Sequence, residues 1–277
     1  MDPIAADPIW LAGFAAALVV TGVFAGIVAG LLGVGGGIVI VPVLFHIFTL
    51  LGIPEAVKMH LAVGTSLATI IPTSIISSRS HRRKGSVDDD LLRGWGPAVF
   101  AGVIVGTLLG GIVKGWVLTA VFATVALLVA ANMAFRKEGS ALAAHLPGRW
   151  PQRAIAAVIG GFSAVMGIGG GTLSVPILTA FSYPIRRAVG TASALGLIIS
   201  VPGTIGFLIA GWGNPLLPLG SLGYVNLIGV ALITPTTMLL APYGAHLAHT
   251  ISTNGLRKAF AAFLFITSVR MFVRLFG

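Results

Sequence analysis

Gly30-Leu31-Leu32-Gly33-Val34-Gly35-Gly36-Gly37-Ile38-Val39-Ile40-Val41-Pro42-Val43-Leu44 decides the reading of this chain, because it comes back. Its echo is Ala164-Val165-Met166-Gly167-Ile168-Gly169-Gly170-Gly171-Thr172-Leu173-Ser174-Val175-Pro176-Ile177-Leu178. A second block follows each copy in the same order, Ala62-Val63-Gly64-Thr65-Ser66 and then Ala188-Val189-Gly190-Thr191-Ala192. Two motifs recurring in one order mark an internal duplication. Consecutive glycines inside an apolar run let the backbone leave the helical path. The N–H and C=O groups freed there cannot be satisfied by lipid, so such a break belongs where it is covered by protein or lines a polar cavity.

Outward from the repeats the chain is apolar throughout. Of 277 residues, 56% are hydrophobic and 9% charged, with a mean hydropathy of +1.02. A soluble domain carries about 25% charged residues to keep its surface wet, so most of this surface faces lipid. That excludes a soluble enzyme, a secreted disulfide scaffold and a disordered linker. The 38 glycines follow no collagen triplet and belong inside closely packed membrane helices. With no cysteine, disulfides, thiolate metal sites and thiol nucleophiles are impossible. The net charge of +10 is spread between apolar runs, which orients a membrane protein rather than binding nucleic acid. The start, Met1 to Asp7, lacks a basic region and does not read as a cleaved signal peptide.

A spanning helix needs about 20 apolar residues. The apolar stretches are Trp10–Gly33, Ile38–Leu51, Val57–Ser78, Leu92–Val113, Trp116–Phe135, Ala154–Gly167, Thr172–Phe181, Ala188–Gly211, Leu222–Ala248 and Leu256–Phe276. Those starting at Ile38, Ala154 and Thr172 are short, as in broken or re-entrant helices. With ten crossings and the amino terminus outside, inner loops collect Arg79, Arg82, Arg83, Lys84, Arg93, Arg136, Lys137, Arg149, Arg153, Arg186, Arg187, Arg257 and Lys258. The outside keeps Lys58, Lys114, Arg270 and Arg274, a strong positive-inside bias. Five segments per half start the second copy on the opposite face. The expected fold is an all-α membrane protein of about eight to ten helical segments, in two inverted five-segment repeats with glycine-broken helices. Residues 1–135 form the first repeat, 136–153 a cytoplasmic linker and 154–277 the second repeat.

Substrate-binding candidates follow from the duplicated motifs. Gly35, Gly36 and Gly37, with Gly169, Gly170 and Gly171, expose backbone N–H groups where a helix restarts, which favours an anion. Thr65, Ser66, Thr191 and Ser193 add hydroxyls that can donate without an intramembrane charge. Each hydroxyl could instead bond the preceding turn of its own helix, and the glycines could simply pack helices. His60, His81, Arg83 and His246 are candidates for gating or proton coupling; solvation near an interface is the plain alternative. No catalytic, metal or cofactor motif is read, and no phosphate-binding Gly-x-x-x-x-Gly-Lys-Ser/Thr loop is present.

The paired Gly-x-Gly-Gly-Gly…Pro runs, the Ala62–Ser66 block and the turn His81-x-Arg83-x-Gly85-x-Val87-Asp88 together resemble the sulfite exporter family of the TauE/SafE type, from about Thr21 to Arg274. The second copy departs, with Ala192 where the first has Ser66 and Ser193 one place on. The resemblance implies a multi-pass transporter of the bacterial inner membrane that moves sulfite, sulfonates or related sulfur-containing or organic anions. Its partners are then a small anionic substrate and the bilayer, with no nucleic acid, and it is not an enzyme. Two other classes stay open. One is a passive anion channel. The other is an intramembrane serine hydrolase with Ser163 as nucleophile and His246 or His249 as its base.

Overall fold

The structure, a computed structural model, describes residues 8–32, 35–135, 143–247 and 253–276. They form ten helices: α1 Pro8–Leu32, α2 Gly37–Leu50, α3 Glu55–Arg83, α4 Asp89–Ile112, α5 Gly115–Phe135, α6 Arg149–Met166, α7 Gly171–Ala180, α8 Ile185–Ala210, α9 Leu227–Leu247 and α10 Thr253–Phe276. Each falls on one of the ten apolar stretches. The stretches of α3, α4, α5, α8 and α9 are long and apolar enough to cross a bilayer, while α2 and α7 are shorter apolar pieces. This is an all-helical, multi-pass membrane fold.

Two boundaries differ from expectation. The stretch at Leu222 is not yet helix: Ser221–Leu222 pairs antiparallel with Val225–Asn226 as a small hairpin, β1 and β2. Gly223, at a φ of 53°, turns it, and a Cβ there would stand 2.0 Å from the Leu208 carbonyl oxygen of α8. A short apolar run reads alike as strand or helix; close docking of the turn on α8 settles it. The stretch at Ala154 is longer than expected, because α6 starts at Arg149 within the residues assigned to the linker. The rest of that linker up to residue 142, the start Met1–Asp7 and His249 lie outside the described residues.

Helix α3 is central, with 72% of its most apolar window buried. It packs along α8, and both also touch the hairpin. Around this pair the first helix of each half lies along the fourth helix of the other: α1 on α9, and α6 on α4. Glycines make both contacts close. A Cβ on Gly102 of α4 would stand 1.9 Å from the Ala157 oxygen of α6, and one on Gly244 of α9 would stand 2.2 Å from the Ile27 oxygen of α1. Such small-residue contacts let backbones approach where the solvent supplies no hydrophobic drive. The outward faces are apolar, with Phe24, Leu108 and Leu128 exposed, and Trp116, Trp150 and Trp212 stand exposed at helix ends. That is the distribution expected of lipid-facing helices with aromatic interfaces.

Candidate functional site at the crossing of the glycine breaks

The two glycine runs do what their composition suggests: α1 stops at Leu32 and α2 starts at Gly37, while α6 stops at Met166 and α7 starts at Gly171. The turns are made differently. In the first, Gly35 and Gly36 have φ of 71° and 77°, a region closed to most side chains. In the second, Gly167 at φ 67° ends α6 with its N–H donating to Ala164 O and the Ile168 N–H donating to Ser163 O. This is the glycine-terminated helix end that satisfies orphan carbonyls.

The breaks meet each other in the buried interior. A Cβ on Gly35 would stand 3.3 Å from Gly169 Cα, and one on Gly37 would stand 2.4 Å from Gly167 O and 2.9 Å from Ile168 Cα. Ile70 of α3 packs against both Gly35 and Gly37. Ser66, also on α3 and fully buried, donates its hydroxyl to Gly167 O at 2.7 Å. One of the freed carbonyls thus gains a partner from a central helix. Gly36 points elsewhere, against Ala25 of α1, and Gly170 lies against Ala192 O and Gly196 N of α8.

The Gly-Thr pairs have a second position and a second task. Thr65 Oγ1 accepts the Asn226 N–H at 2.8 Å, and Thr191 Oγ1 accepts the Asp88 N–H at 2.8 Å. The preceding glycine makes room in both cases: a Cβ on Gly64 would stand 2.1 Å from Tyr224 O, and one on Gly190 would stand 2.3 Å from Ser86 O. Asn226 and Asp88 in turn cap helices. Asn226 Oδ1 accepts the Gly229 N–H in the first turn of α9, while Asp88 Oδ1 accepts the N–H groups of Asp90 and Leu91 in α4. The sequence carries a matching signal for these caps: Gly85-Ser86-Val87-Asp88 repeats as Gly223-Tyr224-Val225-Asn226. Ser193 bonds within its own helix, to Gly190 O at 2.6 Å.

Other buried hydroxyls near the second break have no hydrogen-bond partner among the described residues: Thr172 and Ser174 of α7, and Ser200 of α8. Ser74 of α3 faces Gly196, whose Cβ would stand 2.6 Å from the Ser74 hydroxyl oxygen. Serine and threonine spread through apolar segments carry no pattern that marks these four in advance. Ser163 is buried, and among the described residues its hydroxyl has no hydrogen-bond partner; His246 is exposed at the end of α9.

The remaining gating candidates lie away from the crossing. His60 bonds Val113 O at 3.0 Å and stacks on Tyr224 with ring centroids 4.8 Å apart. His81 and Arg83 sit in the last turn of α3. Just beyond them, Asp88 Oδ2 accepts from the Tyr183 hydroxyl and pairs with Arg187 at 2.9 Å, tying the α3–α4 turn to the start of α8. Burial works to raise the Asp88 carboxyl, but the Tyr183 hydroxyl, the Leu91 N–H and Arg187 outweigh it and hold the group below its ordinary value. Burial and the Asp88 carboxylate push the Tyr183 phenol up.

The sequence model for the sulfite exporter TauE/SafE matches residues 18–271, both glycine breaks and both Gly-Thr clamps included. The chain belongs to the TauE/SafE family. Similar proteins include a "Probable membrane transporter protein" of Haemophilus influenzae, 34% identical over 260 residues that cover 91% of this chain and 96% of that one. Another of that description, from Methanocaldococcus jannaschii, is 28% identical over 92% of this chain and 94% of its own. The "Probable membrane transporter protein YunE" of Bacillus subtilis is 30% identical over 71% of this chain and 79% of its own. No solved structure matches significantly. As a TauE/SafE member this chain is a membrane transporter, and its small-molecule path is to be sought within the helical body.

Proposed function

We propose that this transporter moves a small anion, such as sulfite, a sulfonate or a related sulfur-containing or organic anion, across the bacterial inner membrane by alternating access. The observation that carries the reading is the meeting of the two glycine breaks beneath Ser66 in the protein interior. Backbone freed from helical bonding at mid-depth is tolerated only where it is covered or lines a cavity, and inverted-repeat transporters place substrates at such breaks. Gly35–Gly37 and Gly169–Gly171 supply N–H groups and Ser66 a hydroxyl at the crossing, while Thr65, Thr191 and Ser193 border the path from the two central helices, α3 and α8, that carry them. Neutral donors give a shallow well, which a carrier that must release its cargo requires.

In this reading the halves are related by a two-fold axis in the membrane plane. The exchanged contacts of α1 with α9 and α6 with α4 support it, as do the matching clamps at Thr65 and Thr191. The termini face outward, and the basic stretches 79–93 and 136–153 of the sequence face the cytoplasm. Movement of one half against the other around the breaks would open each side in turn. The test is uptake of radiolabelled sulfite, methanesulfonate and sulfate into proteoliposomes, with counter-exchange. Saturable uptake that accelerates when the same anion is preloaded supports a carrier. Flux of none of these anions removes the anion reading, and flux without saturation or exchange removes alternating access.

A further inference from the structure

We propose that the mouth between α2, α3, α5 and α10 is a second anion site, built for a small oxyanion head group: a carboxylate, a sulfonate or a phosphate monoester. It is a cavity of about 540 Å³ reached by Phe45, Glu55, Lys114, Trp116, Thr119 and Arg274, a volume within the range of small-ligand pockets. The proposal does not rest on the role given to the glycine crossing.

Charge is the first argument. Lys114 and Arg274 both stand on the wall, and among the described residues neither has a carboxylate partner. Lys58 adds a third cation behind them, with a side chain only 2% exposed. Its ammonium pairs with Glu55 and lies 4.8 Å from the centroid of the Phe45 ring, so both of its partners are wall residues. One carboxylate therefore faces several cations. Like charges gathered at one concavity repel unless a counter-ion joins them.

Backbone is the second argument. The starts of α3 and α5 both reach the cavity, through Glu55 and Ala56 and through Gly115 and Trp116. They touch: a Cβ on Gly115 would stand 2.6 Å from Glu55 O. Two helix starts side by side add their positive ends to the side-chain charges. Trp116, 58% exposed, puts the lip at the depth of the bilayer interface. An anion there can come from solution or from a lipid head group. Either would sit about 15 Å along α3 from Ser66, which is ten residues beyond Ala56 at 1.5 Å per residue.

The chain has no cysteine, so Trp116→Cys offers a single thiol at the lip, and Leu219→Cys, at a position 85% exposed before β1, reports the general field of the protein. Labelling is compared in phosphatidylcholine nanodiscs with anionic sulfonatoethyl and cationic trimethylammonioethyl methanethiosulfonate, each normalised to its rate on a free thiol. An uncompensated charge within about 6 Å favours the anionic reagent about ten-fold. That preference is expected at position 116 relative to 219, and Lys114→Gln with Arg274→Gln should abolish it at an unchanged melting temperature. Should the double variant not fold, either single variant should reduce the preference several-fold. Slower labelling with millimolar methanesulfonate assigns the occupant to solution; slower labelling only when phosphatidylglycerol is present assigns it to a lipid head group. Equal preference at the two positions, or protection by neither anion, overturns the site.

Discussion

Gly37→Ala tests whether the two breaks must touch. The added Cβ would stand 2.4 Å from Gly167 O, and the next atoms met are Ile70 Cδ1 at 2.8 Å and Ile168 Cα at 2.9 Å. Ile70 can turn aside, but the other two belong to the opposite break. Real Cβ atoms essentially never come closer than 3.0 Å, so the backbones must part by at least 0.6 Å. Overpacking of this kind costs about 1–3 kcal/mol. Moving Gly167 also strains the hydrogen bond from Ser66, worth about 1 kcal/mol, while alanine returns up to about 1 kcal/mol of helix propensity. The net expectation is a loss of about 2 kcal/mol, or about 4–8 °C in melting temperature at this chain length, together with loss of anion uptake in proteoliposomes. Gly94→Ala on α4, where a Cβ meets nothing within 4 Å, is the control: it should keep parental uptake and melt no lower than the parent, gaining up to about 1 kcal/mol from helix propensity alone. If Gly37→Ala melts with the parent protein and transports at the parental rate, the breaks do not depend on their contact, and the crossing is not the working centre.

Three further outcomes follow from the hydrogen bonds. Ser66→Ala leaves the buried Gly167 carbonyl without its partner, so thermal unfolding should show a loss of about 1–3 kcal/mol; an unchanged melting temperature would mean that the carbonyl finds another donor. Thr65→Val and Thr191→Val remove the acceptors of the Asn226 and Asp88 N–H groups. Thr65→Val should destabilise by about 1–3 kcal/mol and cost more than Thr191→Val, since the Asn226 bond is buried and the Asp88 bond only partly so; the reverse order would show that the hairpin can reach water. The Asp88 carboxyl is held below its ordinary value, so its contribution is complete at neutral pH and falls away only as acid carries the pH below the usual carboxylate range, near 4. Asp88→Asn keeps the cap on α4, loses the Arg187 pair and should flatten the fall of the melting temperature below about pH 4, whereas Asp88→Ala should lose about 1 kcal/mol more through the missing cap. An acid limb that survives Asp88→Asn would assign it to other carboxylates.

Sequence alone determined the helical membrane class, the ten segments and the places where two helices break. These are local matters: an apolar run of spanning length must hydrogen-bond to itself in lipid, and three glycines weaken that bonding wherever they stand. It also placed Gly64-Thr65 and Gly190-Thr191 at equivalent points of a duplication. Only the tertiary structure decided what these residues touch. That Gly37 meets Gly167, that Ser66 reaches the second break across 101 residues of chain, and that the two threonines hold the caps of α9 and α4 depend on how α3 and α8 pack. A hydroxyl on an apolar helix reads the same whether it will serve a ligand, its own turn or a distant N–H group, because its partner is chosen by approach in space and not by spacing along the chain. The docking of the short hairpin against α8, and the meeting around one mouth of Lys58, Lys114 and Arg274, which the sequence placed only on one face, were hidden for the same reason. Each is made by segments whose sequences say nothing of one another.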